Sequence, residues 1–189
     1  MAQSAVDVCN SALQKCGVSS IMSLTDPSRE ARACALAFDS NRRAELRKRN
    51  WNFAIKRKIL GPDSAAPAFD YAYAFQLPSD CLKVIVPKDS SLDWVIEGRT
   101  ILTNYGNGVL NLRYVADITD VTQWDSTFYD VFACSLALDM VEQLTNSPAK
   151  KQMLAQEYNE AMADAAKANA FEKVSQRPPD PTFLTSRWV

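Results

Sequence analysis

Residues 26 to 57 read DPSREARACALAFDSNRRAELRKRNWNFAIKR, and where this stretch divides decides the fold. Asp26 can accept hydrogen bonds from the free amides of a helix start, and Pro27 suits the first helical position, where a missing donor costs nothing. A helix is therefore predicted from Asp26 to about Arg49. Ala31, Cys34, Ala35, Phe38 and Leu46 recur in it at helical spacing, with Arg29, Arg32, Arg42, Arg43 and Arg47 between them. One face packs and the other stays wet. At Asn50-Trp51-Asn52-Phe53 the period falls to two, as on a strand or a tight turn leading into one. Trp51 and Phe53 thus mark a helix-to-β junction.

Upstream, Ser4 can cap a helix over about residues 5 to 16, with Val8, Cys9, Ala12, Leu13 and Cys16 in an apolar stripe and Gly17 as a left-handed stop. The short link to Thr25 folds the two helices back to back. Downstream, short strands are predicted at 55–60, 81–86, 94–97, 100–103 and 109–116, separated by Gly- and Pro-bearing turns. They predict one antiparallel meander of four or five strands. Helical spacing returns at Trp124, Phe128, Phe132, Leu136, Met140 and Leu144 with almost no polar face, as expected of a central helix. Ser147-Pro148 then starts a fourth helix reaching about Val174. The last stretch carries three prolines and cannot continue it.

The fold class is therefore α+β: a four-helix bundle with an inserted antiparallel β-meander and an extended C-terminal tail. The body comprises residues 1–54 and 117–174, the insertion residues 55–116 and the tail residues 175–189. With 189 residues, 47% of them hydrophobic, the chain can build one real core. No apolar run approaches the roughly 20 residues of a membrane span, and no secretory signal is visible at the start. Five scattered cysteines fit reduced, buried thiols better than a disulfide framework, and a cytoplasmic site of synthesis.

Histidine is absent, which removes His-based nucleophilic triads and imidazole metal sites. No CxxC pair and no glycine-rich phosphate loop is present. The expectation is a non-enzyme without cofactor or metal. Acid pairs such as Asp117 with Asp120, or Asp89 with Asp93, leave a tail-borne glycan hydrolase as a remote alternative. The cluster Arg42, Arg43, Arg47, Lys48, Arg49, Lys56, Arg57 and Lys58 could grip phosphates while Trp51 and Phe53 stack on bases, giving a DNA-binding module. The same arginines could instead be an ordinary solvated face or form inter-subunit salt bridges, and the aromatics could plug the core. The net charge of −1 weighs against a dedicated nucleic-acid binder. In the tail, Phe183, Leu184 and Trp188, with Arg187, are large groups with no visible burial on their own domain, which marks an interaction site. Fourteen extended residues reach about 45 Å.

Several stretches in order resemble the tail tubular protein A family, the head-to-tail adaptors of short-tailed bacteriophages. They are Asn10-Ser11-Ala12-Leu13 through Gly17; Ser23-Leu24-Thr25-Asp26; Arg42 to Trp51-Asn52-Phe53-Ala54; Leu77-Pro78-Ser79-Asp80; and Leu112-Arg113-Tyr114-Val115 followed by Asp117, Trp124 and Phe128. The resemblance implies a virion protein forming a ring of twelve copies between the portal protein and the tail nozzle, a tail tubular protein B-like partner. Genomic DNA would pass through the ring without sequence-specific binding. It also implies that the C-terminal region engages the portal, a role placed by position on Phe183, Leu184, Arg187 and Trp188. The insertion, expected far from that tail, would meet the nozzle, and Arg42, Arg43, Arg47, Lys48 and Arg49 would be channel or inter-subunit charges.

Overall fold

The computed structural model describes residues 4–85, 93–104 and 108–172. Among the described residues the fold is mixed α/β, with four helices and two small antiparallel three-stranded sheets. Helix α1 (Ala5–Cys16) begins at a capping box, in which Ser4 and Asp7 each accept from the other's backbone. It ends at Gly17, whose φ of +70° is the left-handed conformation glycine adopts at no steric cost. A side chain there would also collide with the Lys150 ammonium, which donates to the Cys16 carbonyl and closes the helix end.

Helix α2 (Arg29–Lys48) starts two residues later than an Asp26 cap suggests. Ser28 is the true cap and accepts from Ala31 N. Asp26 instead accepts from the amides of Met22 and Ser23, tying down the turn before the helix. Two cap-competent residues lie close together, and the more C-terminal one takes the helix. Helix α3 (Ser126–Thr145) is capped by Asp125, and helix α4 (Pro148–Phe171) by Ser147. Residues 173–189, and with them the expected tail residues Phe183, Leu184, Arg187 and Trp188, lie outside the described residues.

Helix α3 is the hub. It packs against α1, α2 and α4, and ten of its twenty residues are buried. At its start Trp51, Phe53, Trp124, Phe128, Phe132 and Phe38 form one aromatic cluster. Phe128 meets Trp51 at 5.0 Å and Trp124 at 5.2 Å between ring centres, both edge to face. These are the arrangements the ring quadrupoles favour. The indole N–H groups are used as well: Trp51 donates to Glu45 O and Trp124 to Ile118 O.

All six strands lie between α2 and α3. They are β1 (Ile55–Leu60), β2 (Tyr73–Gln76), β3 (Cys81–Ile85), β4 (Trp94–Glu97), β5 (Thr100–Thr103) and β6 (Leu110–Ala116). The spacing predicts a single meander, but the strands divide between two sheets, ordered β1-β6-β3 and β2-β5-β4. The physical reason is β6. It is the longest strand, with Leu110, Leu112 and Tyr114 alternating inward, and it takes a partner on each edge. That draws in β1 and β3 from far along the chain and leaves β2, β4 and β5 to pair among themselves. A space of only about 10 Å³ remains among Val84, Trp94, Ile101, Leu110 and Leu112, room for one water at most.

Removing the ring of Phe128 takes out the centre of the aromatic cluster. Phe128→Ala is expected to cost about 3–5 kcal/mol in denaturant unfolding; a loss below about 1 kcal/mol would show that the cluster does not hold the helices together.

Candidate functional site

The DNA-binding reading of the sequence rests on the basic stretch 42–58, and the structure separates its members. Arg42 falls on the packed stripe of α2, one turn beyond Phe38, and its side chain is 5% exposed. Its guanidinium reaches Asp117 at 3.1 and 3.3 Å and Asp39 at 2.6 Å. Arg43 shares Asp117 at 3.0 Å. Arg47 donates to the Leu82 carbonyl in β3, and outside this stretch Arg29 donates to the Gln143 carbonyl at the end of α3. These arginines fasten α2 to its neighbours, so the intramolecular role wins over a phosphate grip at Arg42, Arg43 and Arg47.

Lys48 belongs to a second node. Glu45, 1% exposed, accepts from Lys48 at 2.6 Å, Ser135 at 2.6 Å and Tyr158 at 3.0 Å, joining α2, α3 and α4. A buried carboxylate needs such partners because its desolvation is otherwise uncompensated. Burial pulls the Lys48 ammonium down, but its bonds to Glu45 and Tyr158 outweigh that and leave it raised. Burial raises the Tyr158 phenol.

Trp51 is 1% exposed and packed on Phe128, so it is a core plug and offers no face to a base. Phe53 is half-buried beside it. The end of α4 returns to this junction: Asn52 donates to Asn169 and to Glu172. Residue 172 therefore sits at the root of the strands. The expected tail itself, residues 175–189, lies outside the described residues.

At the start of β1, Lys56 pairs with Asp80 at 3.0 Å, and Tyr114 donates to the same carboxylate at 3.1 Å. Burial opposes the charge on Asp80, yet the bonds from Lys56 and Tyr114 prevail and hold it below the usual carboxylate range. Burial and the Asp80 carboxylate push the Tyr114 phenol up to about 12. Among the described residues, Arg49, Arg57 and Lys58 are the cations of the stretch with no hydrogen-bond or ion-pair partner. Arg113 joins them, since β1 and β6 pair it directly with Arg57. The alternation of β6 could have placed Arg113 on the outward face, but its register against Arg57 depends on long-range pairing.

Two of the carboxylates proposed for hydrolysis are otherwise engaged. Asp117 is held by the two arginines, and Asp120 caps a turn through Thr122 and Gln123. Asp89 lies outside the described residues. An open hollow of about 530 Å³ beside α1 is lined by Asn10, Ser11, Gln14 and Tyr129, with Asp7 as its one acid, so it lacks the carboxylate pair a glycosidase uses. The five cysteines are free and buried, and burial raises Cys16 to about 11. No group of acids and cysteines suited to a metal occurs among the described residues. No helix among them is long and apolar enough to cross a membrane.

No protein-family model matches the chain, and no curated protein matches it in sequence. The functional reading rests on the residues themselves.

Asp80 gives a pH test. Its folded value is lowered, so its stabilising contribution is complete above the unfolded value of 3.8 and is lost as pH falls through the lower folded value. Asp80→Asn is expected to cost about 1 kcal/mol at pH 7, and the gap to wild type is expected to close on acidification to about pH 2 in urea titrations. A gap independent of pH would refute the assignment.

Proposed function

We propose that this chain is a structural virion protein of a short-tailed bacteriophage, the adaptor ring that joins the portal protein to the tail nozzle. On this reading the four helices form a bundle about α3, the six strands are the insertion, and the residues beyond α4 are the portal anchor. Twelve copies form the ring, and DNA leaves through its channel without sequence-specific contact. A near-neutral chain suits that duty, because a strongly basic channel would retain the DNA it must release.

The observation that carries the reading is the position of the resembling stretches. Each one occupies a joint of the fold. Asn10 exchanges two hydrogen bonds with Ile21, at 2.8 and 2.9 Å, and fixes the link after α1. Asp26 holds the next turn. Trp51 and Phe128 lock the junction, Asp80 binds Lys56 and Tyr114, and Asp117 receives Arg42 and Arg43. A resemblance confined to such joints reports a shared architecture more than a shared surface composition.

A nucleic-acid module is the second reading, supported by the unpartnered Arg49, Arg57, Lys58 and Arg113. It requires binding to duplex DNA that weakens steeply with salt.

The test is native mass spectrometry of the chain, alone and with the portal protein of the same genome, beside a chain lacking residues 178–189. Twelve copies per portal ring are expected for the full chain, and an intact fold without attachment for the truncated one. Attachment that survives truncation overturns the assignment of Phe183, Leu184, Arg187 and Trp188. A full chain that ignores the portal and binds DNA at low salt overturns the adaptor reading.

A further inference from the structure

Each of the two sheets ends in an exposed strand, and the two strands carry opposite charge. Strand β1 is, with β3, one of the two outer strands of the first sheet and pairs only with β6. Its sequence is Ile55-Lys56-Arg57-Lys58-Ile59-Leu60, with three cations and no acid, and residues 56 to 59 are all exposed. Apart from Ile55 N, which donates to Asn52 O, its outer edge makes no backbone hydrogen bond with other described residues. Across the ladder stands Arg113, exposed and directly opposite Arg57. Like charges facing each other in a ladder are destabilising. Neither arginine has a carboxylate partner among the described residues, and none of the three strands of this sheet contains an acid.

Strand β4 is, with β2, one of the two outer strands of the second sheet and pairs only with β5. Its sequence is Trp94-Val95-Ile96-Glu97, preceded by Asp93, and both acids are exposed. Hydrogen bonds gather a third acid to the Asp93 end: Thr103 donates to the Asp93 carbonyl, and Asn104 binds the Asp70 carbonyl and the Ala72 amide. No cation answers Asp70, Asp93 or Glu97 within ion-pair distance among the described residues. An exposed apolar side chain accompanies each strand, Ile59 at 68% and Ile96 at 40%.

We propose that β1 of one copy of this chain docks edge to edge with β4 of the next. Free strand edges pair readily through main-chain hydrogen bonds. Here charge selects which edges meet: β1 repels β1, β4 repels β4, and only the unlike pair attracts. Because the two edges belong to different sheets of one chain, the contact is head-to-tail, the kind that closes into a ring when its rotation allows. The chain as a whole is near neutral, so the basic edge has a better counterpart in its own neighbour than in a polyanion. The inference deepens the adaptor reading and depends on it for the number of copies in the ring.

A charge exchange read by sedimentation velocity at about 50 mM and about 500 mM salt tests it. The wild-type chain is expected to associate with rising concentration at low salt and to dissociate at high salt. Arg57→Glu with Lys58→Glu in one variant, and Asp93→Lys with Glu97→Lys in a second, are each expected to stay monomeric. Mixed in equal amounts they are expected to associate, because every contact between unlike variants is again complementary. Equal far-UV spectra and melting temperatures show that the exposed substitutions leave the fold intact. A wild type that stays monomeric at low salt, or variants that associate as well as wild type, overturns the proposal. So does a wild-type monomer that binds duplex DNA through Arg57 and Lys58. A charge-exchanged pair that assembles but ignores the portal overturns the adaptor reading alone, and a portal-bound ring indifferent to both variants overturns this interface alone.

Discussion

Helix α3 has apolar side chains all the way round, and ten of its twenty residues are sealed from water. A helix of this kind is stable only when covered. Helices α1, α2 and α4 lie against it, and the turn that starts the strands is pinned to its first turn through Trp51 and Phe128. The aromatic cluster is therefore both the floor of the helical part and the hinge point of the strands.

Around that hub, α2 works as a strut. Its buried stripe runs Ala31, Cys34, Phe38, Arg42 and Glu45, so the stripe turns from apolar to ionic along the helix. Where it is ionic, each charge is met: Arg42 by Asp117 and Asp39, Glu45 by Lys48, Ser135 and Tyr158. An unmet charge at either place would cost several kcal/mol. This end of α2 consequently accepts only one placement of the residues after β6 and of α4.

The helices were legible because spacing and caps agree. The ends of α1 and the start of α4 fall where Ser4, Gly17 and Ser147-Pro148 place them. Asp26 misled by two residues because Ser28 could serve the same amides. Helix α2 also held a readable clue that charge obscured: Arg42 and Glu45 lie on the heptad-like stripe of Ala31, Cys34 and Phe38, so their burial follows from spacing alone. The division into two sheets was not legible, since strand order depends on contacts far apart in sequence. Strand β2 was missed because its four residues are too short a run to signal a strand and their partner, β5, lies far along the chain. The site was least readable of all, because whether an arginine is spent on Asp117 or left open on β1 is settled by the tertiary fold.

The direction of the proton shifts has a further consequence. Asp7, Asp80, Asp120 and Glu142 move down, while Lys15, Lys48, Tyr71, Tyr114 and Tyr158 move up. None of these shifts carries its group into the interval between about pH 5 and 8, and the chain has no histidine to titrate there. Between them these nine groups add no slope to stability against pH in that interval, where a histidine would add one.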